Sequence, residues 1–147
     1  MKHLVAAALL ALPAAAEAAE VGRIRAHLFY EESGRLSLDI APPSDFAAFN
    51  VVIGEGSAEE PANDLLVAVE LTGRPAEAAT PLRILVRNAR GRVVAQRSIP
   101  GSFLGAGQPR LWKAVYLPDV GCAGTLTITA TLGRSTRTTS VDLICGE

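Results

Sequence analysis

Cys122 and Cys145 are the only cysteines in the chain, and they bound the stretch CAGTLTITATLGRSTRTTSVDLIC. A sulfur pair can serve as a redox couple, as part of a metal site or as a structural cystine. No C-x-x-C motif is present, and a zinc site would need two further ligands that this region lacks. The turn between the two cysteines favours the third use. Gly133 and Arg134 separate two alternating runs, as a two-residue type II′ reversal with glycine first requires. Residues facing each other across that reversal pair Leu132 with Ser135, Ile128 with Thr139, Leu126 with Val141 and Gly124 with Leu143. Continued by one further step on the same face, the ladder sets Cys122 opposite Cys145, within the Cα separation that a disulfide tolerates. A bridge closing a loop of this length adds about 3 kcal/mol by restricting the unfolded chain.

Histidine offers little chemistry. Only His3 and His27 occur, and His27 shares strand parity with Arg25 and Phe29, which predicts a surface position. No G-x-S-x-G elbow exists to place a serine nucleophile near it. Carboxylates are more numerous. Glu55, Glu59, Glu60 and Asp64 fall in the stretch GEGSAEEPAND, where oxygen ligands on a loop could hold Ca²⁺. The D-x-[DN]-x-[DN]-G order is missing, so a solvated acidic loop is the first reading and a calcium, glycan or lipid-headgroup module using residues 55–64 the second. A hydrolase built on paired carboxylates such as Glu31, Glu32, Asp39, Glu55 or Asp64 is a third reading, with neither nucleophile nor base identified. The glycine pairs Gly54/Gly56 and Gly105/Gly107 lack the third glycine, the Lys-Ser/Thr and the helix start of a phosphate cradle, and read as turns. No cofactor is expected.

Charge is the uneven feature. Between Glu31 and Glu77 ten acidic residues face only Arg35 and Arg74, whereas Arg83 to Lys113 holds seven basic residues and no acidic one, although the whole chain is nearly neutral at −1. Either the basic hairpin pairs with the acidic strands across the fold, or Arg83, Arg87, Arg90, Arg92 and Arg97 form a surface that meets an acidic partner. Aromatic residues are too few, and too little interleaved with basic ones, for a nucleic-acid platform. Trp112 and Tyr116 share one face of their strand, with Val115 and Leu117 on the other, and are expected to serve the core.

The elements that must position these groups are short period-2 runs separated by Gly, Pro, Asn, Asp and Ser. Strands are predicted at 23–30, 35–40, 46–53, 65–72, 82–88, 92–99, 110–117, 125–132 and 138–145. Eight or nine such strands predict an all-β, two-sheet antiparallel β-sandwich, with a small closed barrel as the alternative. The chain resembles the immunoglobulin-like sandwich in general build alone. In antibody-type domains the disulfide crosses the sheets and a Tyr lies two residues before the second Cys, a position held here by Leu143.

Residues 1–18 read as a cleaved secretory signal peptide: Lys2 supplies positive charge, Leu4 to Ala11 an apolar run, and the alanines near position 16 small-residue cleavage options. The apolar run is too short to span a bilayer, and residues 19–147 are expected to form one domain with no transmembrane segment. Together these features predict a periplasmic or secreted, non-enzymatic domain. It would act on another envelope or secreted protein through the basic hairpin, and nothing in the sequence sets its oligomeric state.

Overall fold

The computed structural model describes residues 19–44, 49–52, 60–73, 80–101, 104 and 109–146; for 49–52 and 144–146 the description is of the backbone. The proposed signal peptide at 1–18 lies outside the described residues. Among those described, nine strands occur and no helix: β1 (Glu20–Tyr30), β2 (Arg35–Leu36), β3 (Phe49–Val52), β4 (Asp64–Thr72), β5 (Leu82–Asn88), β6 (Val93–Ile99), β7 (Arg110–Leu117), β8 (Gly124–Leu132) and β9 (Ser135–Gly146). Two sheets form, ordered β2-β1-β4-β7 and β3-β9-β8-β5-β6.

Period-2 patterning drives the layering. In β4, Leu65, Val67, Val69 and Leu71 are fully buried, while Leu66, Ala68, Glu70 and Thr72 alternate toward the other face. Each such aliphatic side chain contributes about 2 kcal/mol by leaving water. Ile24, Ala26, Leu28 and Tyr30 of β1 extend this layer. Opposite it stand Leu82, Ile84 and Val86 of β5, Leu126, Ile128, Ala130 and Leu132 of β8, and Val141 and Leu143 of β9.

The C-terminal hairpin has the predicted register from Leu132–Ser135 to Gly124–Leu143. Gly133 has φ +58, while Arg134 is not left-handed, as the type II′ turn demands. On the outer face the threonines bond across the two strands: Thr125 to Asp142 at 2.7 Å, Thr129 to Thr138 at 3.1 Å and Thr131 to Thr136 at 3.2 Å.

Two expectations are corrected. The strand predicted at 35–40 pairs as a strand only at Arg35 and Leu36. Beyond that point side chains take over as acceptors for β1 amides: Ser37 Oγ accepts from Leu28 N, and Asp39 Oδ1 from Ala26 N. The segment therefore stays against β1 through these side-chain acceptors together with two backbone bonds, Ser37 N to Leu28 O at 2.9 Å and Ile40 N to Ala26 O at 2.8 Å. The second correction concerns pairing sense. β3 lies parallel to β9, so the larger sheet is antiparallel except at this edge. No tight turn joins these two strands, so nothing local imposes antiparallel pairing. Of the strand predicted at 46–53, residues 46–48 and 53 lie outside the described residues.

Candidate functional site: a basic edge

The β5–β6 hairpin is built from its turn outward. Asn88 Oδ1 accepts from Arg90 N at 3.1 Å and Arg92 N at 3.0 Å, Gly91 N donates to Asn88 O at 2.8 Å, and Gly91 adopts φ +75. Asparagine and glycine are the residues such a turn selects. Arg87 Nη1 donates to Gly91 O at 2.8 Å and braces the reversal from outside.

Register then distributes the arginines over both faces. Ile84 and Val86 point into the core, so Arg83 and Arg87 point outward. Arg97 is paired with Ile84 and therefore carries the inward parity of the sheet, yet it is exposed. It escapes full burial because β6 is the edge strand, where Ala95 and Ile99 on the same face are only partly covered and a long side chain reaches solvent. Lys113, on β7 at the end of the other sheet, also carries the inward parity, paired with buried Val69 of β4, but it is half-buried. The alternation of Leu111, Lys113, Val115 and Leu117 carried that signal in the sequence. β1 packs on β9 and β8, and β4 and β5 are both buried, so the β6 and β7 edges fall on one side of the sandwich. Two inward-parity cations, exposed Arg97 and half-buried Lys113, thus lie on the same flank.

Among the described residues, none of Arg83, Arg87, Arg90, Arg92 and Arg97 forms an ion pair. Arg23 and Arg25 approach Asp39 at 2.9 and 4.0 Å, Arg35 approaches Glu60 at 2.7 Å, and Arg110 approaches Glu70 at 3.6 Å. Asp39, Glu60 and Glu70 are engaged by arginines outside the hairpin. Beside the start of β6 lies an open groove of ≈ 570 Å³ whose walls include Val93, Val94, Pro118, Val120 and Arg92. Val93 and Val94 are 42% and 39% exposed, high for valines in a strand.

Of the calcium candidates, Glu60 and Asp64 are described, and each is turned to its own partner. Glu55 and Glu59 lie outside the described residues. Glu60 binds Arg35 and accepts from Ser33 N at 3.2 Å. The Arg35 hydrogen bond, aided by Ser33, holds the Glu60 carboxyl below its ordinary 4.5, so the small stability it lends is present above that pH and lost as the pH falls through its lowered value. Asp64 accepts the Tyr116 hydroxyl and, at 2.9 Å, Asp119 N. Among the described residues no group of three or more His, Cys, Asp or Glu could hold a metal ion. His27 is half-buried rather than a surface side chain, its Nδ1–H donating to Ser37 O at 2.9 Å.

Trp112 and Tyr116 are not core residues. They are 38% and 44% exposed, because their parity on β7 faces outward and a two-layer sandwich covers each sheet on one side only. Arg25 stacks over the Trp112 ring at 4.6 Å, and Phe29 meets Tyr116 edge-on at 5.9 Å. Rings so held offer π faces to a cation or to the apolar side of a sugar.

The hydrogen bond to Asp64 pushes the Tyr116 phenol up from 10.0 to about 12, with partial burial and the charges of Asp64, Glu31 and Asp119 adding to it. The folded state favours the neutral phenol, so this contribution is present below pH 10.0 and is lost as the pH rises through about 12. In an Asp64→Asn variant, NMR titration of labelled tyrosine should bring the Tyr116 midpoint back toward 10. An unchanged midpoint would remove Asp64 as the cause.

No protein-family model and no curated protein matches the chain. Among solved structures it is similar to a Bifidobacterium dentium β-glucuronidase in complex with coumarin-3-O-glucuronide, at 14% identity and a TM-score of 0.44. The match covers 86% of this chain and 17% of that one.

No helix among the described residues is long and apolar enough to cross a membrane.

Proposed function

We propose that the chain is a non-enzymatic, exported β-sandwich of immunoglobulin-like outline that acts in the periplasm or outside the cell by binding another protein through its basic β5–β6 edge. One observation carries this reading. The five hairpin arginines stand unpaired among the described residues, while Arg23, Arg25, Arg35 and Arg110 each meet a carboxylate. Unpaired like charges on one hairpin cost stability through mutual repulsion, and an acidic partner turns that cost into attraction and faster association. Residues 19–147 constitute one domain in this reading, and residues 1–18 the export signal.

The proposal includes a Cys122–Cys145 cystine. Its support is the hairpin register, which runs as predicted to Gly124–Leu143, and the fact that no free cysteine occurs among the described residues. The Cys145 side chain itself lies outside what is described. A sulfur bridge accords with an oxidising compartment, as the signal-like N-terminus does.

The test replaces Arg83, Arg87, Arg92 and Arg97 by Gln together, with circular dichroism to verify the fold. A partner captured from the envelope fraction and identified should bind the variant roughly a hundredfold more weakly, at about 0.7 kcal/mol per arginine. Added salt should weaken the wild type toward the variant. Equal affinity of wild type and variant at low salt would sink the reading.

A further inference from the structure

We propose that β6 accepts an extended acidic segment of the partner as an additional strand; this deepens the proposed function and rests on it. Among the described residues β6 is bonded to β5 on one side and to no strand on the other, which leaves a row of N–H and C=O groups along Val93–Ile99. Such rows bind extended peptides through main-chain hydrogen bonds, and side-chain contacts supply selectivity.

The charge distribution selects the occupant. Side chains of an added strand alternate between the two faces of the sheet. Arg97 lies at the edge on the inner parity, and Arg83 and Arg87 project on the outer face from the adjacent strand. Two strand spacings separate β5 from the added strand, about 10 Å, which an arginine and a glutamate bridge between them. Carboxylates on either face of the incoming strand would therefore meet a guanidinium. An inward-parity charge on an edge strand ordinarily blocks edge-to-edge pairing. Here it blocks a second copy, because β6 set against β6 would bring Arg97 toward Arg97, and it attracts a strand of opposite charge. The groove beside Val93 and Val94 gives the segment a place to seat one apolar side chain next to Arg92. The occupant is thus an extended peptide of alternating acidic residues with a bulky apolar residue near one end.

Two synthetic peptides of β6 length test the inference against the full chain. One alternates Glu and Val and ends in Leu. The other has the same sequence with every peptide nitrogen methylated, and cannot complete a ladder because it has no N–H to donate. The first should bind at least tenfold more tightly by calorimetry, and should slow hydrogen exchange at the β6 amides that face away from β5. Equal binding of both peptides with no amide protection would overturn strand addition and leave the basic-surface reading intact. Failure of both peptides to bind, while partner capture still depends on the arginines, would overturn strand addition alone. Loss of neither peptide binding nor capture in the four-arginine variant would overturn both.

Discussion

Replacing Asp39 by alanine is expected to lower the unfolding free energy by about 3 kcal/mol, since hydrogen bonds to a charged acceptor are worth roughly 1.5–3 kcal/mol each and overlap when they share one carboxylate. Asp39 Oδ1 accepts from Ala26 N at 3.0 Å and from Ala41 N at 3.1 Å, and Oδ2 takes Arg23 Nη2 at 2.9 Å. Its side chain is only 16% exposed, so water replaces these bonds poorly. Truncation also leaves the Arg23 guanidinium, whose Nε already lacks a bond partner, without a counter-charge. Asp39→Asn separates the roles. It keeps an acceptor for the two amides and should cost only about 1 kcal/mol from the ion pair. Urea unfolding measures both, and equal losses for Ala and Asn would mean that the charge, rather than the amide bonds, holds this segment.

How well the chain can be read from sequence follows how locally each feature is determined. β5 and β7 have their predicted ends, and β8 and β9 their predicted register, because alternation and a glycine reversal act within a few residues. Arg83 and Arg87 are surface residues for the same reason. The position of Trp112 and Tyr116 depends on which face of β7 the second layer covers, a property of the whole fold that their own strand does not encode. Likewise Ser37 and Asp39 look like ordinary positions on one face of a strand until their oxygens are seen standing in for backbone carbonyls beside β1. The groove joins Val93 and Val94 to residues that follow β7, so no contiguous motif could reveal it. The acidic stretch reads first as a solvated loop and second as a ligand site, and of its carboxylates Glu60 and Asp64 are turned to separate partners, Arg35 and Tyr116. Composition gives no pairing.

Removing the proposed cystine with Cys122→Ser and Cys145→Ser together should lower stability by about 3 kcal/mol, through the greater freedom of the unfolded chain. The native loop after β7 should hold its place, because it has anchors of its own. Val120 N and Gly121 N both donate to Asn63 O at 2.9 Å, Ala123 N donates to Val120 O at 2.9 Å, and Asp119 N is tied to Asp64. Cys122 lines the groove, yet the groove's form rests on these bonds before it rests on sulfur. The variant should therefore unfold at lower urea while its affinity for the Glu–Val peptide, measured where it remains folded, stays within about twofold, since a change confined to the unfolded state leaves native binding unaltered. If stability is unchanged, the native protein contains no such bridge. If affinity falls along with stability, the bridge shapes the groove directly, and the hydrogen bonds to Asn63 are too weak to hold it alone.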